Sequence, residues 1–404
     1  MTTMPGGLEL RTARPSEIDQ IGTLLVERGE EPDALDHRLV VEGALGWDAC
    51  AVVVDGDRVV STATLLDETV RVGDVVLPAG QVELVATDTG YEGRGLVRAL
   101  MGWAHDRSRD RGHQLQVMIG IPYFYRLFGY EYAIDIPRAR ALRDSPSPGS
   151  GAREAASAGS VLREATTADI PALVALQEAA QAPYDVAVPH PQERWRWLLE
   201  HDGSTTRVLE RGGVVVASAR TGPPDEGVLV AEAAAADTTA AHDLLDALRG
   251  LGEPLTIVHR PLTTPGQAWA DLLEPGGTDA TQYYARLERP ELALDALRPV
   301  LTARLRAAGL GRDVVISTFG RHYRLPWTTD GGLGPVEVGG PMQAPGVAKG
   351  AGVAPDRLPA LLLGPLGIQG LERLCPDVYA PDAELYGALF PPLTADLLTY
   401  YLPW

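Results

Sequence analysis

The stretch VATDTGYEGRGLVRAL, residues 85–100, sets Gly90, Gly93 and Gly95 between a β-rich apolar run and a segment in which Leu96, Leu100 and Trp103 share one helical face. Strand, glycine turn and helix N-terminus together make an anion site, because unpaired N–H groups and the positive helix end converge where no Cβ obstructs them. Glu92 puts a negative charge inside this turn. The backbone supplies most of such a cradle, so the carboxylate need not forbid an anion if it points to solvent and Arg94 offsets it. A second chemical stretch, IPYFYRLFGYEYAID at 121–135, carries Tyr123, Tyr125, Tyr130 and Tyr132. A phenol with a pKa near 10 can protonate a leaving thiolate at neutral pH; the same four rings also read as an aromatic packing cluster.

The glycine turn has neither the spacing of a dinucleotide fingerprint nor its acidic ribose ligand about 20 residues on. It resembles the acyl-CoA-binding motif of the GNAT acetyltransferases: Gln or Arg, two residues, Gly, one residue, then Gly or Ala, opening a helix after a bulged strand. Glu92, Gly95 and Val97 occupy those slots, so only the central glycine matches strictly. The FYRLFGY core resembles the GNAT signature in which a tyrosine three residues before a Phe-Gly-Tyr turn faces the CoA sulfur, which singles out Tyr125. The chain as a whole is similar to the Eis (enhanced intracellular survival) family, whose layout is a GNAT domain, a second GNAT-like domain and a sterol-carrier-protein-like domain.

That resemblance implies an acetyl-CoA-dependent N-acetyltransferase in which an amine attacks the thioester directly. Pantetheine would lie against Val85, Ala86 and Thr87, and the diphosphate against Gly93, Arg94, Gly95, Leu96, Val97 and Arg98. Tyr125 would protonate the sulfur, and the C-terminal carboxylate of Trp404 would lie near the amine. Leu84 stands where the family's aminoglycoside acetylators carry an aromatic pocket residue. A homo-oligomer, a hexamer, is also implied. The acceptor is expected to be a cationic amine, either aminoglycoside-like or a lysine-bearing peptide. The stretch ERGEEPDALDHR, residues 27–38, offers Glu27 and Glu30, with Glu31, Asp33 and Asp36, to hold such a cation, or else is a solvated acidic loop. Glu83 is either a water-linked base or an exposed strand residue.

The elements that position these groups occur twice. LRTARPSEIDQIGTLL from Leu10 matches LREATTADIPALVALQ from Leu162, with Arg11, Glu17 and Ile18 meeting Arg163, Asp169 and Ile170. Hairpin turns at Asp55-Gly56 and Gly212-Gly213 follow in register. After the strand VLVAEA at 228–233 the second copy reads AAADTTAAHDLLDAL, without the glycines a phosphate turn requires, and is expected to be scaffold. The fold class is therefore α/β and α+β. The resemblance implies tandem GNAT folds with mixed central sheets and flanking helices, 1–145 and 161–289, joined by a Ser/Pro/Gly/Ala linker, 146–160, and followed by a sterol-carrier-protein-like α+β domain, 290–404.

Composition bounds the partners. The 404 residues are 45% hydrophobic and 22% charged, and the formal charge of -19 opposes nucleic acid and anionic lipid while attracting a cationic small molecule. Net acidity is also common in cytoplasmic proteins. No apolar run reaches the roughly 18–20 residues of a membrane span, and the N-terminus lacks signal-peptide features, so a cytoplasmic location with no membrane partner is expected. Cys50 and Cys375 have no His or Cys at ligand spacing, so no metal is expected. The reading from another class is a non-catalytic binding or lipid-carrier protein with a degenerate CoA site. A Gly-Ser extension after Trp404 displaces the terminal charge without touching the turn or Tyr125. It should lower kcat/KM about tenfold or more at unchanged acetyl-CoA affinity, and an extended protein of full activity would remove the carboxylate role.

Overall fold

The computed structural model describes residues 2–43, 45–143, 159–222, 227–277 and 282–397. The two sequence copies begin alike because a buried acid caps a helix in each. Glu17 accepts the Arg14 N–H at 2.7 Å and Arg11 Nη1 at 3.0 Å, just before helix α1 (Ile18–Arg28). Asp169 accepts the Thr166 N–H and Arg163 Nη1, both at 2.8 Å, before the helix Ile170–Gln181. Burial alone would raise the Glu17 pKa, but Arg11 and the Arg14 N–H hold it below its ordinary value. Arg163 and Thr166 hold Asp169 lower still. Caps of this kind contribute about 1 kcal/mol each, which explains why the motif reads so clearly in sequence.

The chain packs as two units, Met1–Asp135 with Gln282–Ala395 and Ile136–Thr281 with Asp396–Trp404. This division differs from the sequence boundaries 1–145, 161–289 and 290–404. In the first unit β1 (Thr2–Thr3), β2 (Glu9–Thr12), β3 (Cys50–Asp55), β4 (Arg58–Val72), β5 (Val75–Thr87) and β6 (Leu115–Met118) lie side by side in that order. The pair β5–β6 is parallel and the others antiparallel. Between β6 and β7 (Glu131–Asp135) lies Gln282–Arg286, antiparallel to both. The second unit mirrors this: Ala139–Ala141, which follows the first module in sequence, pairs with Leu255–Val258 at the edge of a six-stranded sheet. Each module's sheet thus takes a strand from sequence lying beyond the other's end of the linker.

Residues 290–395 belong to the first unit. A five-stranded sheet, ordered Glu337–Gly339, His322–Leu325, Val314–Ser317, Ala351–Val353 and Val378–Tyr379, carries short helices around it. All six residues of the helix Leu358–Leu363 are buried, and a Cβ on Gly364 would stand 2.6 Å from the Ala133 carbonyl of β7. That close approach ties this region to the first sheet. Proline interrupts the helices here: Pro290–Ala296 gives way to Arg298–Ala307 near Pro299, and Gly364-Pro365 separates Leu358–Leu363 from Gly367–Leu374. The acidic stretch 27–38 is no loop throughout: α2 (Asp33–Glu42) starts within it.

A polypeptide of residues 1–143 contains β1–β7 but lacks the strand that separates β6 from β7. It should show no cooperative thermal transition by circular dichroism, whereas the full chain should. A sharp reversible melt of the fragment would mean that the sheet closes unaided.

Candidate active site

The course of β5 defines the site. Its pairing with β6 covers only Ala79, Gly80 and Gln81 against Leu115, Gln116 and Val117, yet β5 continues to Thr87 along β4. Thr62 pairs with Ala86 and Thr64 with Glu83, so Leu84 and Val85 both face Ala63 in a bulge. Leu84 adopts φ +52°, a left-handed backbone unusual for a non-glycine residue, and its side chain is buried. Beyond the bulge, Thr87 Oγ1 lies 2.7 Å from Ser61 Oγ and the chain enters the glycine turn.

Helix α3 (Leu96–Asp110) starts at Gly95, whose φ is +78°. Its first i→i−4 bond runs from the Ala99 N–H to the Gly95 carbonyl at 3.1 Å, which leaves the N–H groups of Leu96, Val97 and Arg98 outside the helical ladder. A Cβ built on Gly93 or Gly95 meets no protein atom within 4 Å, so the space above the turn is open. The donors and the helix end fit a diphosphate. The Leu96 side chain faces the core, so only its backbone is available to an anion.

Glu92 is paired with Arg28, at the end of α1, whose Nη2 lies 2.6 Å from Oε1. Arg94 does not offset it: its guanidinium lies 4.5 Å from the Tyr91 ring centre and donates to the Gly90 carbonyl at 3.1 Å. Arg98 lies over Phe128 at 5.5 Å, linking the helix start to the tyrosine segment.

That segment is a 3-10 helix, Phe124–Phe128, entered through Tyr123 at φ +68° and left through Gly129 at φ +87°. Tyr125 is 7% exposed and belongs to a cluster with Val82, Met101, Tyr130 and Tyr284, against which Val85 and Val97 pack. Strand, helix start and tyrosine therefore meet. A Cβ on Gly120 would stand 2.1 Å from Tyr125 Cε2, so only glycine permits this ring position. Burial, then the charge of Glu83, pushes the Tyr125 phenol up to about 12.

Glu83 is a buried residue of β5, not an exposed one. Burial pushes its carboxyl up to about 8; the Gln81 amide, which donates to Oε1, opposes this, while Glu68, Asp33 and Asp36 reinforce it. The second module offers an internal comparison. Glu83 stands five residues before Asp88, which caps the turn after β5, and Glu232 stands five before Asp237, which caps the helix Thr238–Arg249. Yet Glu232 accepts Arg220 Nε at 2.7 Å and Gln177 Nε2 at 3.2 Å, with His190 Nε2 at 2.9 Å. Despite complete burial, His190 and Arg220 hold it far below the usual carboxylate range. One position is locked by cations; the other is an acid amid acids.

Of the substrate residues read from sequence, Leu84 lies on the bulge, while Glu27 and Glu30 are exposed. The carboxylates that act on Glu83 are Glu68, Asp33 and Asp36. Glu68 gave no sequence signal beyond its parity: it shares a sheet face with Thr64, which pairs with Glu83. Tyr284 was also missed. Trp404 lies outside the described residues. Among the described residues no group of His, Cys, Asp or Glu is arranged to hold a metal ion, and no helix is long and apolar enough to cross a membrane.

Residues 9–133 match the family model of the acetyltransferase (GNAT) domain. The N-acetyltransferases Eis of Mycobacterium tuberculosis (strain ATCC 25177 / H37Ra) and Mycobacterium bovis (strain ATCC BAA-935 / AF2122/97) are 30% identical over 156 residues. That match covers 34% of this chain and spans only 38% of the length of those relatives. The fold is similar over 98% of the chain to three crystal structures, covering 98% or more of each. A GCN5-related N-acetyltransferase from Anabaena variabilis ATCC 29413 superposes with TM-score 0.71 at 13% identity, and one from Kribbella flavida with 0.65 at 21%. Eis1 from Mycobacterium abscessus gives 0.61 at 17%. Residues 9–133 thus carry an acetyltransferase domain on a GNAT-like α/β fold.

The raised Glu83 pKa has a consequence for stability. Between the ordinary carboxyl value and about 8 the folded protein binds more proton than the unfolded chain, so this group's contribution is full below that window and is lost as pH rises through 8. Glu83→Gln should therefore raise the melting temperature more at pH 9 than at pH 5. An equal shift at both would mean that Glu83 ionises normally.

Proposed function

We propose that the protein is an acetyl-CoA-dependent N-acetyltransferase acting on a cationic amine. The observation that carries the reading is the course of β5: it parts from β6 after Gln81, bulges at Leu84 and runs into a glycine turn and a helix N-terminus, with Tyr125 and Glu83 beside it. Acetyl-CoA supplies an activated acyl thioester. Val85, Ala86 and Thr87 offer backbone groups to its pantetheine arm, and Gly93 to Arg98 offer N–H donors and two guanidinium groups to its phosphates.

The buried carboxyls Glu68, Glu83 and Asp36, with Asp33, favour an acceptor that arrives as an ammonium ion. Ionised Glu83 takes the ammonium proton, through water, freeing the lone pair that forms the C–N bond. The C–S bond breaks as Tyr125, whose raised pKa keeps it protonated at every working pH, delivers its proton to the sulfur; the acylated nitrogen then releases its second proton through water, and the tyrosinate is reprotonated. An aminoglycoside-like cation or a lysine-bearing peptide meets these demands. Further proposals rest on the Eis resemblance: a carboxylate of Trp404 beside the amine, a sterol-carrier-like character for 290–404, hexameric assembly and a cytoplasmic location.

Calorimetric titration with acetyl-CoA should show binding; none at millimolar ligand would leave the non-catalytic reading. Because Glu83 must be ionised to accept a proton, kcat/KM should rise with pH up to about 8 and level off above it. Tyr125→Phe should lower kcat on the order of 100-fold with acetyl-CoA affinity kept, and Glu83→Gln should remove the acid limb. Full kcat in both variants would overturn these roles.

A further inference from the structure

The tyrosine segment is held from outside its own module. Tyr284, on the strand Gln282–Arg286 that enters the first sheet after the second module, is completely buried between β6 and β7. Its hydroxyl accepts the Tyr123 N–H at 2.6 Å and donates to Tyr132 Oη at 2.8 Å, with the Ile121 carbonyl at 3.4 Å. Its ring stacks on Tyr132, with centres 4.1 Å apart and planes at 21°, and meets Tyr125 edge-on at 6.0 Å. Tyr123 is the residue forced to φ +68° at the start of the 3-10 helix. A non-glycine residue there is strained and persists only where its surroundings over-determine it. Tyr123 itself is 67% exposed, so packing of its own side chain does not hold it.

We propose that Tyr284 is a positioning residue for the transfer reaction. By holding the Tyr123 N–H at the strained helix entry while its ring abuts Tyr125, it fixes where the Tyr125 hydroxyl points. The inference rests on the reading of Tyr125 as proton donor. It also makes the site depend on a strand whose sequence lies beyond residue 281: the hydrogen bond that orients the acid is made only when that strand has entered the sheet. Burial, then the Tyr132 contact, raises the Tyr284 pKa, so the hydroxyl keeps the proton it donates to Tyr132 while its oxygen accepts the Tyr123 N–H.

The test is steady-state kinetics on Tyr284→Phe, which keeps both ring contacts and deletes the hydroxyl, in the wild-type and Tyr125→Phe backgrounds, with Tyr132→Phe as control. In the wild-type background Tyr284→Phe should lower kcat about tenfold or more, with KM for acetyl-CoA within about twofold, since small misplacements of a reacting group carry such costs. It should lower kcat no further once Tyr125 is phenylalanine. Tyr132→Phe, which leaves the Tyr123 bond intact, should stay within about twofold of wild type. Full kcat in Tyr284→Phe, or an additive loss in the Tyr125→Phe background, overturns the positioning role alone; full kcat in Tyr125→Phe itself would overturn the donor reading beneath it. Should Tyr284→Phe not melt cooperatively, amide exchange in the wild-type protein decides: the Tyr123 N–H should be protected, and free exchange would overturn the proposal.

Discussion

A backbone N–H given to a neighbouring strand is not free for a ligand, and the early end of the β5–β6 ladder is the constraint on which the site depends. Pairing stops at Gln81 and Val117, and the bulge at Leu84 turns the remaining strand away. With the bulge come a left-handed leucine and a change in which side chains face which layer. Glu83 is carried to where Glu68, Asp33 and Asp36 act on it, Val85 toward Tyr125, and the strand end into the glycine turn. The open glycine turn, the position of Tyr125 and the buried Glu83 carboxyl are three results of one interrupted ladder.

The second module keeps this geometry and changes its electrostatics. Its central strands also carry a bulge, between Arg220 and Thr221, and its parallel pairing also stops, at Val230 and Ile257. There Arg260 Nη1 donates to the Ala233 carbonyl at 2.9 Å, on the strand just past the end of the ladder, while Nε and Nη2 hold Asp396 at 2.8 and 2.6 Å. Guanidinium groups thus occupy backbone and carboxylate partners that the first module leaves to other uses. Removing one member of such a buried ion pair would leave an uncompensated charge. In this module the buried carboxylates of Glu232 and Asp396 are each held by a guanidinium group. The acid at position 83, surrounded by other acids, is strained electrostatically in a way that position 232 is not.

Much of this was legible in sequence because it is local. The cap residues Glu17 and Asp169, the hairpin glycines, the glycine turn and the register of FYRLFGY all act within a few residues of themselves. Their meaning survives without knowledge of the rest of the chain. The Arg28–Glu92 pair spans 64 residues, and the pairing of Gln282–Arg286 with β6 spans more; no local preference announces either. Reading Arg94 as the partner of Glu92 was the natural local guess, and the cation–π contact with Tyr91 defeats it.

What the sequence determined by itself is the repeated strand, cap and helix, the glycine turn of the first copy and its absence from the second, and the tyrosine run from 123 to 132. Backbone preferences and turn chemistry are properties of short segments, so they are written where they act. Tertiary structure decided that Glu83 is buried among carboxyls while Glu232 is neutralised, that Glu68 joins the same face, and that Tyr284 reaches Tyr123 from a strand beyond the second module. Desolvation, charge pairing and strand exchange depend on which distant segments meet, and that is set by the packing of the whole chain rather than by any stretch of it.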